Sequence, residues 1–164
     1  MSKPWITLAL GLALAACAAP TPYGPVGEPY VGHVAKGYAD EQVAADRYRV
    51  SFAGNWVTSL ATVEDYVYYR AAQVTLQSGH DYFRVVEREL EHRVIHNAMA
   101  DFFPGYGFGL TGYIVVYPGH TFAVAATIEV AHGQAPADEA NVFDARRVLR
   151  DLAPRIGPSG GRSL

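Results

Sequence analysis

The chain of 164 residues has a single cysteine, no excess of basic residues and no apolar run long enough to cross a bilayer. Each lack excludes something. One cysteine, Cys17, allows no internal disulfide and no metal site built on several thiolates. Lys and Arg number 13 against 16 Asp and Glu, a formal charge of −3, so there is no basic field to hold a phosphate backbone and nucleic acid is not expected as a partner. The sequence also lacks HExxH, GxSxG and a phosphate-cradling glycine loop, which argues against the commonest hydrolase and nucleotide-binding chemistries.

What is present begins with a leader. Lys3 precedes an apolar run from Trp5 to Ala16, with Pro20, Pro22 and Pro25 close behind. About a dozen apolar residues fall short of the ~20 a membrane helix needs, so a cleaved signal peptide over 1–16 is the reading. From 17 to 45 the chain is rich in Pro, Gly and Tyr without periodicity and reads as an extended tether, with 38–46 packing loosely. A single domain is expected over 46–155, followed by a disordered tail at 156–164.

Inside that domain, Tyr48, Val50 and Phe52 alternate with Arg47, Arg49 and Ser51, the period of a half-buried strand that Gly54-Asn55 ends. Leu60, Val63, Val67, Ala71 and Val74 then form one stripe of a helix at about 60–78, with Tyr66, Arg70, Gln73 and Gln77 directed away from it. Thr58, Ser59 or Thr62 caps its start, Glu64 and Asp65 charge its first turn, and Gly79 closes it. A strand follows from Asp81. Residues 86–103 fit a strand, with Glu87, Glu89 and Glu91 on one face, or a helix with Val86, Leu90, Val94, Ala98 and Phe102 in a stripe. Tyr113–Tyr117 and Phe122–Val130 suggest a hairpin turning at Pro118-Gly119, its second arm burying Phe122, Val124, Ala126, Ile128 and Val130. Asp138 or Asn141 caps a last helix that Pro154 ends. The expected fold is an α+β two-layer sandwich, two helices on one face of a mostly antiparallel sheet of about four strands.

The run Leu14-Ala15-Ala16-Cys17 resembles the lipobox of bacterial lipoproteins. That resemblance implies a mature chain starting at Cys17 with diacylglycerol on sulfur and a further acyl chain on nitrogen. Ala18, rather than Asp, implies the outer membrane, facing the periplasm. Further on, RVSFAGN, VEDY, YRAA, TL and DYF, between Arg49 and Phe83, resemble the core of a family of small Gram-negative envelope lipoproteins. The likeness spans roughly residues 14–86, with Trp56 standing where a small residue is expected. It implies the address and the strand-helix-strand core, and carries over no catalytic residue.

Candidate chemistry is sparse. On a helix, His92 and His96 would share a face and a metal, with Glu91 and Asp101 for oxygen; on a strand they sit ~13 Å apart. Solvated histidines are the commoner arrangement. The Glu87, Glu89, Glu91 row and the interleaved Arg84, Arg88 and Arg93 fit a charged strand surface, and Glu64-Asp65 a helix start. Tyr66, Tyr68, Tyr69, Tyr106 and Phe108 offer an aromatic contact surface for an envelope protein or a glycan. The functional expectation is therefore a periplasmic lipoprotein anchored to the membrane at Cys17, a non-enzymatic binding or scaffolding module without a cofactor. The alternatives are a metal or ligand sensor using His92 and His96, or a small hydrolase.

Overall fold

A computed structural model describes residues 19–27, 35–104 and 110–156, side chains excepted over 97–104 and 110–117. The leader, the LAAC motif with Cys17, and the tail from 157 lie outside the described residues. The elements are β1 (Gly37–Ala44), β2 (Arg47–Ala53), α1 (Leu60–Gln77), β3 (Tyr82–Pro104), β4 (Leu110–Ala131), β5 (Val142–Asp144) and α2 (Ala145–Ile156). The strands form one antiparallel sheet in the order β1-β2-β4-β3-β5, with the two helices packed together over it. This is the expected α+β architecture with five strands instead of about four.

The core follows the alternation seen in the sequence. Val50 and Phe52 of β2, Phe83 of β3 and Val124, Ala126, Ile128 and Val130 of β4 meet Val63, Val67, Ala71 and Val74 of α1. Tyr66 joins them, buried edge-on against Phe52 at 4.8 Å, which corrects the outward placement expected of it. Its ring is large enough to close the gap between the helix and β2. Ser59 is the N-cap, its hydroxyl accepting from the Thr62 N–H at 3.1 Å. Glu64 and Asp65 lie beyond the first turn, so the helix start carries no acidic side chain. Gly79 adopts φ +86°, and its N–H donates to Leu76 O.

Residues 82–104 are a strand, which excludes the helical alternative. A bulge at Val86 reverses the strand's parity: Phe83 and Val85 lie on the helix side, as do Arg88, Leu90 and His92 after it, register partners of Ala126, Val124 and Phe122. Glu87, Glu89 and Glu91 thereby fall on the opposite face with Thr127, Ala125 and Ala123.

Three expectations are corrected. The anticipated hairpin at Pro118-Gly119 is one continuous strand, β4, because β3 is equally long and pairs with both halves, Pro118 opposite His96 and Gly119 opposite Ile95. Beyond Phe122, whose O accepts from the Gly54 N–H, the outer edge of β4 has no strand neighbour among the described residues, a position that tolerates a residue without an N–H. Part of the supposed tether, Gly37–Ala44, is β1, paired along its length with β2, and residues 19–27 lie against the domain. Helix α2 is capped by Asp144, which accepts from the Arg147 N–H at 2.7 Å, since pairing of Val142–Asp144 with β3 delays the helix to Ala145. Pro154 sits inside its last turn, where only one helical hydrogen bond is lost.

Among the described residues no helix is long and apolar enough to cross a membrane.

Candidate functional site

The densest polar network ties the N-terminal segment to the turn between β2 and α1. Gly54 brings the chain so close to Thr58 that a Cβ there would meet the Thr58 Cβ at 2.8 Å. Asn55 follows, and its Nδ2 donates to Ala19 O at 2.7 Å while its backbone N–H donates to Thr21 Oγ1 at 2.9 Å. Asn55 Oδ1 accepts from the Val57 N–H and from the Thr58 hydroxyl. Thr58, 2% exposed, accepts in turn from the Thr21 N–H at 2.8 Å. These bonds hold residues 19–21 against the turn.

Two residues later Tyr23 enters an aromatic nest. Its ring lies 4.9 Å from Tyr38, 5.4 Å from Tyr66 and 5.3 Å from Tyr69, and its hydroxyl donates to Gln73 Oε1 at 2.6 Å. Burial pushes the Tyr23 phenol above its ordinary pKa, opposed in part by the nearby Arg70 cation. Arg70 itself donates to Asp40 at 2.8 Å and lies over the Tyr38 ring at 4.5 Å. Tyr69 is thus engaged by Tyr23, Tyr68 packs on Phe143 at 5.1 Å, and Tyr106 and Phe108 lie outside the described residues.

Trp56, on the same turn as Asn55, is 50% exposed. The base of the β3–β4 ribbon adjoins it, for the Gly54 N–H donates to Phe122 O at 3.0 Å. Leu90 and Val94 stand open on the ribbon's helix side, 45% and 54% exposed. The end of the fold that holds Ala19 therefore also carries the exposed apolar side chains Trp56, Leu90 and Val94, while Val26, Val43 and Val86 are exposed as well.

His92 and His96 occupy one strand and do not converge. His92 instead meets His120 across the ribbon, Nε2 to Nδ1 at 2.8 Å, with its ring stacked 4.9 Å from Phe122. A second pair, His80 and His132, stacks at 4.3 Å beside Asp46 and Asp81. Among the described residues there is no group of three or more metal-ligating side chains. Sequence spacing could find neither histidine pair, because the first is made by strand register and the second by two loops that meet where β3 begins and β4 ends.

Apart from Glu87, the charged rows are paired. Glu89 accepts from Arg49, Glu91 from Arg93, Arg88 bonds Glu64 of α1, and Arg84 bonds Glu139. Burial raises the Asp65 carboxyl above its usual range, with Arg155 pulling it back from 2.9 Å. Glu64 and Asp65 therefore each hold an arginine. At the opposite end of the sheet a depression of about 460 Å³ is lined by Asp46, Arg47, Tyr82, Arg84 and Glu129, where opposite charges balance.

Comparison with family models, with curated proteins and with solved structures finds no match to this chain.

Proposed function

We propose that this chain is a membrane-anchored lipoprotein of the bacterial envelope, facing the periplasm, whose α+β domain is a non-enzymatic binding or scaffolding module held against the lipid surface. The run Leu14-Ala15-Ala16-Cys17 supports the anchor, and the bond from Asn55 to Ala19 O supports its closeness to the domain. If acyl chains sit on Cys17, Ala18 alone separates the lipidated residue from a position fixed to the domain, a span of roughly 7 Å at ~3.5 Å per residue. The anchor then holds the domain close, where composition suggests an extended tether. Trp56 lies on the same turn, and an indole with half its surface open suits the headgroup layer, where one edge of the ring is apolar and the other wet. The charged face of the sheet, with Arg49, Glu89 and Glu129, is left for an envelope protein or glycan.

Intact mass of the membrane-extracted protein, beside Cys17→Ser, tests the anchor. A chain starting at Cys17 and carrying acyl mass, lost in the variant, is the expected result; an unprocessed or unmodified wild-type chain would sink the reading. Close apposition has its own test. Removal of the leader takes Trp5 with it, so Trp56 is the sole tryptophan of the mature chain and its fluorescence should be quenched by brominated lipid.

A further inference from the structure

Beyond the sheet, β3 and β4 continue as a two-stranded arm. β2 ends at Ala53, opposite Ala123, and β5 reaches only Arg84, so further out neither strand has another neighbour among the described residues. Their mutual register nevertheless runs without a break from Glu87 opposite Thr127 to Pro104 opposite Leu110. The outer parts, 95–104 and 110–119, are each ten residues long. At ~3.3 Å per residue that is about 33 Å, the thickness of a bilayer's hydrocarbon core, and transmembrane strands need ~9–11 residues.

The arm's composition matches its length. Between Arg93 and Glu129 the only charged residue is Asp101. Register separates the remaining polarity into alternate positions. Ala98 opposite Val116, Ala100 opposite Ile114 and Phe102 opposite Gly112 are apolar, with His96 opposite Pro118 at the base of the same face, whereas Asn97 opposite Tyr117, Asp101 opposite Tyr113 and Phe103 opposite Thr111 hold the other polar groups, with Met99 opposite Val115 between them. That is the two-residue alternation of a strand with one face in lipid and the other in a polar lumen. The arm also leaves the fold at the end where Gly54 bonds Phe122 and Asn55 bonds Ala19.

A single hairpin cannot stay in hydrocarbon, since the backbone N–H and C=O groups along both of its edges would go unpaired. Resting on the lipid-anchored reading above, we propose that the arms of several copies of this chain enter the bilayer together and pair edge to edge into a closed β-barrel. Each copy supplies two strands. Barrels start at about eight, so the assembly holds at least about four copies, with the globular domains ringed around it. The activity assigned is that of a transmembrane assembly, in which the Asn97, Asp101 and Thr111 positions form the polar register of the barrel.

The test uses the full lipidated chain. Acylation blocks Cys17, and the same variants made on Cys17→Ser keep the introduced cysteine the sole thiol where acyl mass is absent. Ala100→Cys, Ile114→Cys and, as a control on β1, Ala39→Cys are labelled with an environment-sensitive NBD fluorophore and reconstituted in phosphatidylethanolamine-phosphatidylglycerol vesicles. Labels at 100 and 114 should shift to the blue and be quenched by doxyl lipid severalfold more than the label at 39. Native mass spectrometry of the detergent-extracted wild type should give a complex of four or more chains. Ala100→Asp combined with Ile114→Asp should return it to monomer with unchanged circular dichroism. Labels at 100 and 114 quenched no more than the control, labels shielded from both water and doxyl lipid, or a monomeric wild type would each overturn the barrel. Any of these with acyl mass present on Cys17 leaves the anchor standing. A membrane-buried, oligomeric arm on a chain without acyl mass supports the barrel and sinks the anchor.

Discussion

The side-chain amide of Asn55 donates to the carbonyl oxygen of Ala19 at 2.7 Å, joining positions 36 residues apart. The bond turns a segment that composition marks as a linker into part of the domain. Removing the amide should therefore do two things. Asn55→Ala deletes the bond to Ala19 and the acceptor shared by the Val57 N–H and the Thr58 hydroxyl, leaving polar groups of a partly buried turn unpaired, at a cost of ~1 kcal/mol. Thermal unfolding should register that loss, and limited proteolysis should cut within residues 19–27 faster than in the wild type.

Gly54 is constrained by space, not by φ. A methyl group there meets Thr58 Cβ at 2.8 Å and Val63 Cγ2 at 3.1 Å, and both belong to the packed start of α1. Gly54→Ala should lower the urea midpoint by the equivalent of ~1–3 kcal/mol, the usual cost of overpacking.

Phe83 and Trp56 separate stability from attachment. Phe83 is fully buried and stacks on Phe143 at 5.4 Å, so Phe83→Ala should cost ~3–5 kcal/mol in chemical denaturation. Trp56→Ala, at an exposed position, should stay within ~0.5 kcal/mol of wild type yet reduce retention on vesicles. Equal stability losses in the two variants would contradict the placement of Trp56.

Acid should loosen the junction of β3, β4 and α2. The Asp81 carboxylate accepts from the Gly133 N–H and from Arg146, each at 2.9 Å, and these bonds hold its pKa below the ordinary value of 3.8. A carboxylate with a lower pKa folded than unfolded stabilises the fold above the unfolded value and withdraws that support as pH falls through the folded one. Glu89, held low by Arg49, acts in the same sense. The wild-type urea midpoint should thus fall as pH drops below about 4. Asp81→Asn should start lower at pH 7 and decline less steeply, and an identical acid slope in both proteins would refute the assignment.

Much of the scaffold was legible because its signals are local. The alternation of Tyr48, Val50 and Phe52, the stripe from Val63 to Val74 and the left-handed Gly79 each depend on residues within one element and its nearest turn, and each appears in the structure where periodicity placed it. Tyr66 was misplaced because a wide buried stripe takes in a residue that the strict spacing leaves out. Pro118-Gly119 has the composition of a turn, yet local turn preference is worth less than a ladder of hydrogen bonds to β3 running the length of both strands.

The sequence by itself determined the strand-helix-strand core and, by resemblance, the expected address at Cys17. Only the tertiary structure decided that residues 19–27 and β1 belong to the domain, that His92 meets His120 instead of His96, and that β3 and β4 run on together past the sheet. Those features come from register and from contacts between positions tens of residues apart. A helix stripe or strand alternation is written in neighbouring residues, but which strand edge faces which is set when the whole sheet closes around its core.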